Sequence, residues 1–128
     1  MKGYTIDKIR NVALVGHGGS GKTTLLEAAL LATGVINRIG RVEDGNTVSD
    51  HDKMEIEKGY SISASVVPVE YNKMKINFID TPGYFDFVGE VNSALRACEA
   101  AVLLVDASSG IQVGTENAWN SCKEYNIP

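Results

Sequence analysis

The sequence has little that would tie it to a membrane, an oxidising compartment or nucleic acid. No apolar run approaches the roughly 20 residues that span a bilayer, and the opening stretch Met1-Lys2-Gly3-Tyr4-Thr5-Ile6-Asp7 has no apolar core of the signal-peptide kind. Among 128 residues there are two cysteines, Cys98 and Cys122, both on helical patterns, so buried thiols are expected and no disulfide framework. The two histidines, His17 and His51, stand far apart and outside any metal-ligand spacing. Twelve basic against 16 acidic residues leave a net charge of −4, without the basic excess of an independent nucleic-acid binder, so no DNA binding by this chain alone is expected. No internal repeat or low-complexity tract is present. The profile is that of one domain, or a piece of one, with the cytoplasm as the default location.

What the sequence does have in quantity is glycine, concentrated where chemistry needs it. Gly16-His17-Gly18-Gly19-Ser20-Gly21-Lys22-Thr23 fits the pattern G-x-x-x-x-G-K-[ST], between an apolar run, Val12-Ala13-Leu14-Val15, and a good helix former starting at Thr24. Glycines at 16, 18, 19 and 21 are expected to curl the backbone into a nest of amides aimed at a phosphate. Lys22 opens the helix, from which its ammonium reaches the β- and γ-phosphates with help from the helix N-terminus. The Thr23 hydroxyl is a Mg²⁺ ligand by type. The loop by itself does not separate ATP from GTP.

Along the chain, residues 1–8 read as a leader and Ile9 to Val15 as a strand buried on both faces. Lys22 to Thr33 reads as a helix packing through Leu25, Leu26, Ala29 and Leu30, stopped by Gly34. From Val35 to Gly59 the pattern dissolves into polar residues, either disordered or a functional loop, with one helical turn at Met54 to Lys58. Ser63 to Tyr71 and Lys73 to Asp80 form a hairpin turning at Asn72-Lys73. A helix follows from about Asp86 to Ala100, then a strand from Ala101 to Val105, a loop from Asp106 to Gln112, and a helix from Val113 to Tyr125 bearing Ala118, Cys122 and Tyr125 on one face. Trp119 is expected at the core margin, and Arg38 and Arg41 in solvent. Because Ala101 to Val105 is apolar on both faces, it is out of place at an open edge, and a further strand is expected beyond Pro128. The fold class is α/β, with ligand groups at the carboxyl ends of the strands.

A second site follows at Asp80-Thr81-Pro82-Gly83. Taken alone, this is a strand-ending turn. Downstream of a phosphate-binding loop it reads as a phosphate sensor: Asp80 serves a Mg²⁺ shell, and the Gly83 amide reaches a γ-phosphate because no Cβ blocks its approach.

With these residues in view, the chain resembles the translational GTPases, in particular the elongation factor G group. The resemblance is carried by Gly21-Lys22-Thr23-Thr24, by Lys58-Gly59-Tyr60-Ser61-Ile62, by Asp80 through Phe87 with Glu90-Val91 and Leu95-Arg96, and by Asp106-Ala107 through Gly110-Ile111-Gln112 with Glu116. It implies the three-layer core of a small GTPase, a mixed sheet with one antiparallel edge hairpin, and residues 1–128 as the N-terminal part of a GTP-binding domain. It further implies GTP or GDP as ligand, Mg²⁺ held by Thr23, Ser61 and Asp80, and action on the ribosome. Val35 to Ile62 would be the first switch and Asp80 to about Glu90 the second. The nucleotide would lie against Gly16, His17, Gly18, Gly19, Ser20, Gly21, Lys22, Thr23, Thr24, Asp80 and Gly83, and catalysis would involve Lys22, Gly83 and Tyr84.

Several residues depart from that family's pattern. Tyr84 stands where the family has a histidine that positions the attacking water; a phenol can also hydrogen-bond water. Gly18 and Tyr60 replace two aliphatic residues flanking that position, an arrangement in which the small residue makes room for larger neighbours. Gly19 replaces a common Asp, and Lys58 and Ser61 replace Arg and Thr, the serine keeping the hydroxyl. The guanine-reading Asn-Lys-x-Asp segment does not occur in these 128 residues. Three readings stand: a GTPase, a nucleotide-gated ribosome-binding switch with little intrinsic hydrolysis, and an ATP-using protein unrelated to translation.

Overall fold

Phase changes in hydrophobic patterning translate into a three-layer α/β fold in the computed structural model, which describes residues 3–128. Met1 and Lys2, the start of the expected leader, lie outside the described residues, and a short 3₁₀ turn at Ile6–Lys8 leads into the first strand. Strands β1 (Ile9–Gly16), β2 (Ser65–Tyr71), β3 (Met74–Asp80) and β4 (Ala100–Leu104) form one sheet in the order β2-β3-β1-β4. β1 runs parallel to both β3 and β4, while β2 pairs antiparallel with β3 as the edge hairpin.

The side-chain alternation of β1 divides the core. Leu14 points to one face, against Leu26 and Leu30 of helix α1 (Lys22–Ala32), with Val67 and Val69 of β2 completing that layer. Ala13 and Val15 point to the other, where helices α3 (Val88–Ala97) and α4 (Val113–Glu124) supply Ala94, Leu95, Ala118 and the free Cys122, with the free Cys98 just past the end of α3. Small side chains dominate this second layer, so the helices sit close to the sheet. Pro68, which has no N–H to give a ladder, lies in β2 at the sheet edge, where it is tolerated.

Element boundaries moved where tertiary pairing outweighed local propensity. The second long helix, α3, stops at Ala97 rather than Ala100, because Cys98 turns extended and Ala100 to Leu104 are recruited alongside Val12 to Gly16. Before it, Phe85–Phe87 forms a 3₁₀ turn instead of the first α-helical turn. On α1, Leu25 is exposed, and the buried stripe is Thr23, Leu26, Glu27 and Leu30. The helix ends as expected at Gly34 (φ +73°), whose N–H bonds the Leu31 carbonyl while the Val35 N–H reaches Leu30. Trp119 is 57% exposed, so the margin expected for it is not core, and it lines an apolar groove with Leu103, Val105 and Ile111. β4 sits at the outer edge of the sheet with Val102 41% exposed. There the Ala101 N–H donates to the Pro128 carbonyl.

The stretch without periodicity, 35–59, takes a defined path with a 3₁₀ turn at Val42–Asp44 and a short helix α2 (Lys53–Lys58). Asp52 caps α2 and Glu55 returns the bond in a capping box, while Gly59 ends it in the left-handed conformation. Buried Glu55 also accepts the Ile62 and Ser63 amides, which ties α2 to the approach to β2.

The hairpin turn carries a measurable strain. Asn72 (φ +48°) and Lys73 (φ +63°) both lie in the left-handed region, as a two-residue type I′ turn demands, and lysine adopts it poorly. Lys73→Gly is therefore expected to stabilise the fold by about 0.5–1 kcal/mol, the relief of strain being partly offset by glycine's entropy. Urea unfolding of the two proteins at equal m-value checks this.

Candidate functional site

The carboxyl ends of β1, β3 and β4 meet at one edge of the sheet, and the glycine-rich loop springs from the first of them. Gly16 (φ +146°), Gly19 (φ +79°) and Gly21 (φ +93°) hold the positive φ expected of the loop. A Cβ on Gly16 would also lie 2.5 Å from the Leu104 carbonyl oxygen, so glycine is needed there for the approach of β1 to β4 as well. Gly18 does not have a positive φ, against expectation. It is small for another reason: a Cβ would lie 3.0–3.3 Å from ring atoms of Tyr84.

Lys22 is the first residue of α1 and is 6% exposed. Its ammonium donates to the Gly16 and His17 carbonyls at 3.1 and 2.9 Å, which folds it back across the loop. Burial lowers its pKa, and the nearby Asp80 charge pulls the other way. The His17 imidazole accepts the Gly114 N–H at 3.2 Å, docking the loop against the start of α4, a contact with no signal in the sequence. A Cβ on Gly114 would collide with His17.

Below the loop, hydroxyls and carboxylates from four segments converge. Thr23 Oγ1 and Ser49 Oγ both donate to Asp80 Oδ2, at 2.7 and 2.9 Å. Ser61 Oγ donates to Asp50 Oδ1 at 2.6 Å and lies 3.5 Å from Thr23 Oγ1. Asp80 Oδ1 and Asp50 Oδ2 are buried and have no hydrogen-bond partner among the described residues. Burial raises the pKa of Asp80, opposed by the hydrogen bonds from Thr23 and Ser49 and reinforced by the charge of Asp50. Asp50 is raised by the same cause, with the Ser61 hydrogen bond opposing it. Oxygen donors of this kind, two of them orphaned, suit a hard divalent cation such as Mg²⁺. Of these residues, Thr23 and Asp80 were legible in the sequence, and Ser61 through the resemblance to the translational GTPases. Ser49 and Asp50 were not, because they stand in a polar run of several acids with no pattern to single them out.

Asp80-Thr81-Pro82-Gly83 forms the opposite wall. Buried Thr81 donates to the Leu14 carbonyl at 2.6 Å, pinning the turn to β1. Gly83 packs so tightly that a Cβ would lie 2.5 Å from the Gly18 nitrogen and 2.6 Å from Lys22 Nζ. Tyr84 follows, 44% exposed, with its ring over Gly18 and against Tyr60, the two ring centroids 4.5 Å apart at a tilt of 53°. Three of the departures expected from the resemblance, Gly18, Tyr60 and Tyr84, thus meet at the Tyr84 ring. The cleft they border holds about 190 Å³ and is lined by loop residues including Gly19, Gly21 and Thr24. That suits a phosphate group and falls short of the roughly 300–1,000 Å³ of sites enclosing a whole ligand. Arg38 and Arg41 are exposed, as expected of solvated arginines.

The site is electrostatically unsatisfied in a way that pH exposes. Asp80 and Asp50 hold protons more tightly folded than unfolded, so their contribution to stability is present at low pH and lost as pH rises through the raised values. The urea midpoint without divalent cations is expected to fall as pH is raised from about 4, the ordinary carboxylate range, and Asp80→Asn to flatten that fall. Parallel curves for the two proteins would show that Asp80 contributes nothing to it.

Residues 7–128 match the model of the "Elongation factor Tu GTP binding domain". An elongation factor G-like protein of Mycobacterium tuberculosis is 43% identical over 120 residues, covering 94% of this chain and 17% of that protein. Elongation factor G of Granulibacter bethesdensis is 41% identical over 128 residues, all of this chain and 18% of that one. A crystal structure of a Thermus thermophilus protein superposes with a TM-score of 0.91 at 45% identity, covering 94% of this chain and 18% of the other. The chain therefore spans less than a fifth of the length of the curated relatives it matches. A match over nearly every residue, with the phosphate-binding loop and the Asp80 turn in place, means that the chain belongs to the family of the elongation factor Tu GTP binding domain.

Proposed function

We propose that the chain supplies the phosphate- and Mg²⁺-binding half of the nucleotide site of an elongation factor G-like GTPase that acts on the ribosome in the cytoplasm. The observation that carries this reading is the juxtaposition of a buried lysine folded across the glycine loop with two buried carboxylate oxygens that have no hydrogen-bond partner among the described residues. The lysine calls for an anion and the carboxylates for a cation, and a Mg²⁺-nucleoside phosphate brings both.

In this reading Lys22 and the amides from Gly16 to Thr24 bind the phosphates, and Thr23, Ser61 and Asp80 hold Mg²⁺ with Asp50 beside them. The ion, when bound, would neutralise charge on the phosphate oxygens. Lys22 would exchange its two carbonyl partners for phosphate oxygens, which lifts the cost of burying the ammonium. Gly83 presents its amide at the edge of the loop, where only a residue without Cβ fits. Tyr84 Oη is the group nearest in type to a water-positioning side chain, a hydrogen-bonding hydroxyl that can accept from water and donate to it. Guanine selectivity would come from an Asn-Lys-x-Asp segment elsewhere in a longer protein, since the cleft formed here has room for phosphate rather than for a base.

A second reading, a nucleotide-gated switch with little hydrolysis, is favoured by the packing of the Tyr84 ring over Gly18 and against Tyr60, which limits the freedom of its hydroxyl. Single-turnover hydrolysis with and without ribosomes separates the two. Equal rates would favour the switch.

Calorimetric titration with GTP, GDP and ATP, with and without Mg²⁺, tests the primary reading. Lys22→Ala is expected to weaken binding by about 100-fold or more, as loss of a buried charge-assisted contact does. Thr23→Ala is expected to abolish the Mg²⁺-dependent part while leaving the Mg²⁺-free part in place. Tighter binding of ATP than GTP by a protein carrying the next strand and helix would overturn the assignment.

A further inference from the structure

We infer that Glu27 is a positioning residue that holds the first switch against α1, and through it sets the residues around the Mg²⁺ position; the second half of this inference rests on the proposed nucleotide site. Glu27 lies one helical turn beyond Thr23 on the same buried stripe of α1, and it is 1% exposed. A carboxylate in such a place needs strong hydrogen bonds, and no basic side chain forms an ion pair with it among the described residues, where Arg10–Glu99 is the one pair present. Its partners are instead two backbone amides: the Gly40 N–H donates to Oε2 at 2.8 Å and the Val48 N–H to Oε1 at 2.6 Å.

Those two amides bracket one excursion of the chain. Between them lie Val42 and Glu43, which line the phosphate cleft, and the Arg41 N–H closes the excursion on Asn46 Oδ1 at 2.8 Å. Gly40 is required at the near end, since a Cβ there would lie 2.9 Å from Glu27 Oε2 and 2.6 Å from the Asn46 carbonyl. At the far end, Val48 is followed directly by Ser49 and Asp50, whose side chains reach Asp80 and Ser61. Fixing the Val48 amide therefore fixes the register of the two residues that meet the cation-binding carboxylate and hydroxyl. One helix face delivers the Thr23 hydroxyl to the site and, a turn later, the Glu27 carboxylate to the segment that covers it.

The chemistry is specific to a carboxylate. Glutamine offers one accepting oxygen and turns an N–H₂ toward the other amide, a donor facing a donor. Aspartate is one methylene shorter and cannot span both. Amide hydrogen exchange on the nucleotide-free chain tests the placement. With Glu27→Gln, protection at Gly40, Val48 or both is expected to fall about tenfold, the scale of a lost charge-assisted hydrogen bond, while the β1 and β3 amides stay within about twofold. Unchanged protection at both amides, or an equal loss throughout the sheet, would overturn the inference. The same variant is expected to lose most of the Mg²⁺-dependent gain in nucleotide affinity and to keep the Mg²⁺-free affinity given by Lys22 and the loop. Loss of both in equal measure would show a general structural role. If the unsubstituted chain binds no nucleotide, the proposed site fails, and the exchange measurement still decides the role of Glu27 in holding the segment.

Discussion

The parallel register that sets Leu14 of β1 beside Asp80 of β3 is the constraint on which the site depends. It brings the end of one strand, where the glycine loop begins, level with the end of another, where the acidic turn begins. Thr81 locks that alignment through the Leu14 carbonyl, and Thr23, on the helix that follows the loop, closes it through Asp80. Slide either strand by one residue and the inward-facing set of side chains reverses, so core packing and site geometry are enforced together. The cores on both sides of β1 thus hold a polar constellation at a tolerance that its own hydrogen bonds could not maintain.

Over that platform lies a segment with almost no apolar patterning that is nevertheless ordered. Its organisation comes from carboxylates accepting backbone amides: buried Glu27 takes those of Gly40 and Val48, buried Glu55 those of Asp52, Ile62 and Ser63, and half-buried Glu90 that of Ala64. Each satisfies donors that have no helix or strand partner. An arrangement of this kind is stable only as a set, because removing one carboxylate leaves buried amides without acceptors. It suits a segment that has to be ordered over a ligand without belonging to the rigid sheet.

The aromatic contact at the mouth of the site joins residues far apart in the chain. Gly18, Tyr60 and Tyr84 are three positions at which the resemblance to the translational GTPases leads one to expect a departure, and in the fold Tyr84 meets both of the others. A loop residue without a side chain admits the Tyr84 ring, and Tyr60 packs against it. The substitutions make sense as one unit: any larger residue at 18 would meet the ring.

Ser61 was picked out only by the resemblance to the translational GTPases; by itself the sequence determined the glycine-rich loop, the hairpin and its turn, the order of strands and helices, and Thr23 and Asp80 as oxygen donors. These rest on local signals: glycines at fixed offsets, period-two and helical patterns, and an acid at a strand end. The tertiary structure alone decided that the helix before β4 ends at Ala97, since pairing with β1 claimed the next residues as strand. It likewise decided that Glu27 would be buried on a helix face whose apolar pattern pointed to Leu25, and that Ser49 and Asp50 would join the site. Burial of a polar residue depends on which distant donors reach it, and no spacing along the chain encodes that distance.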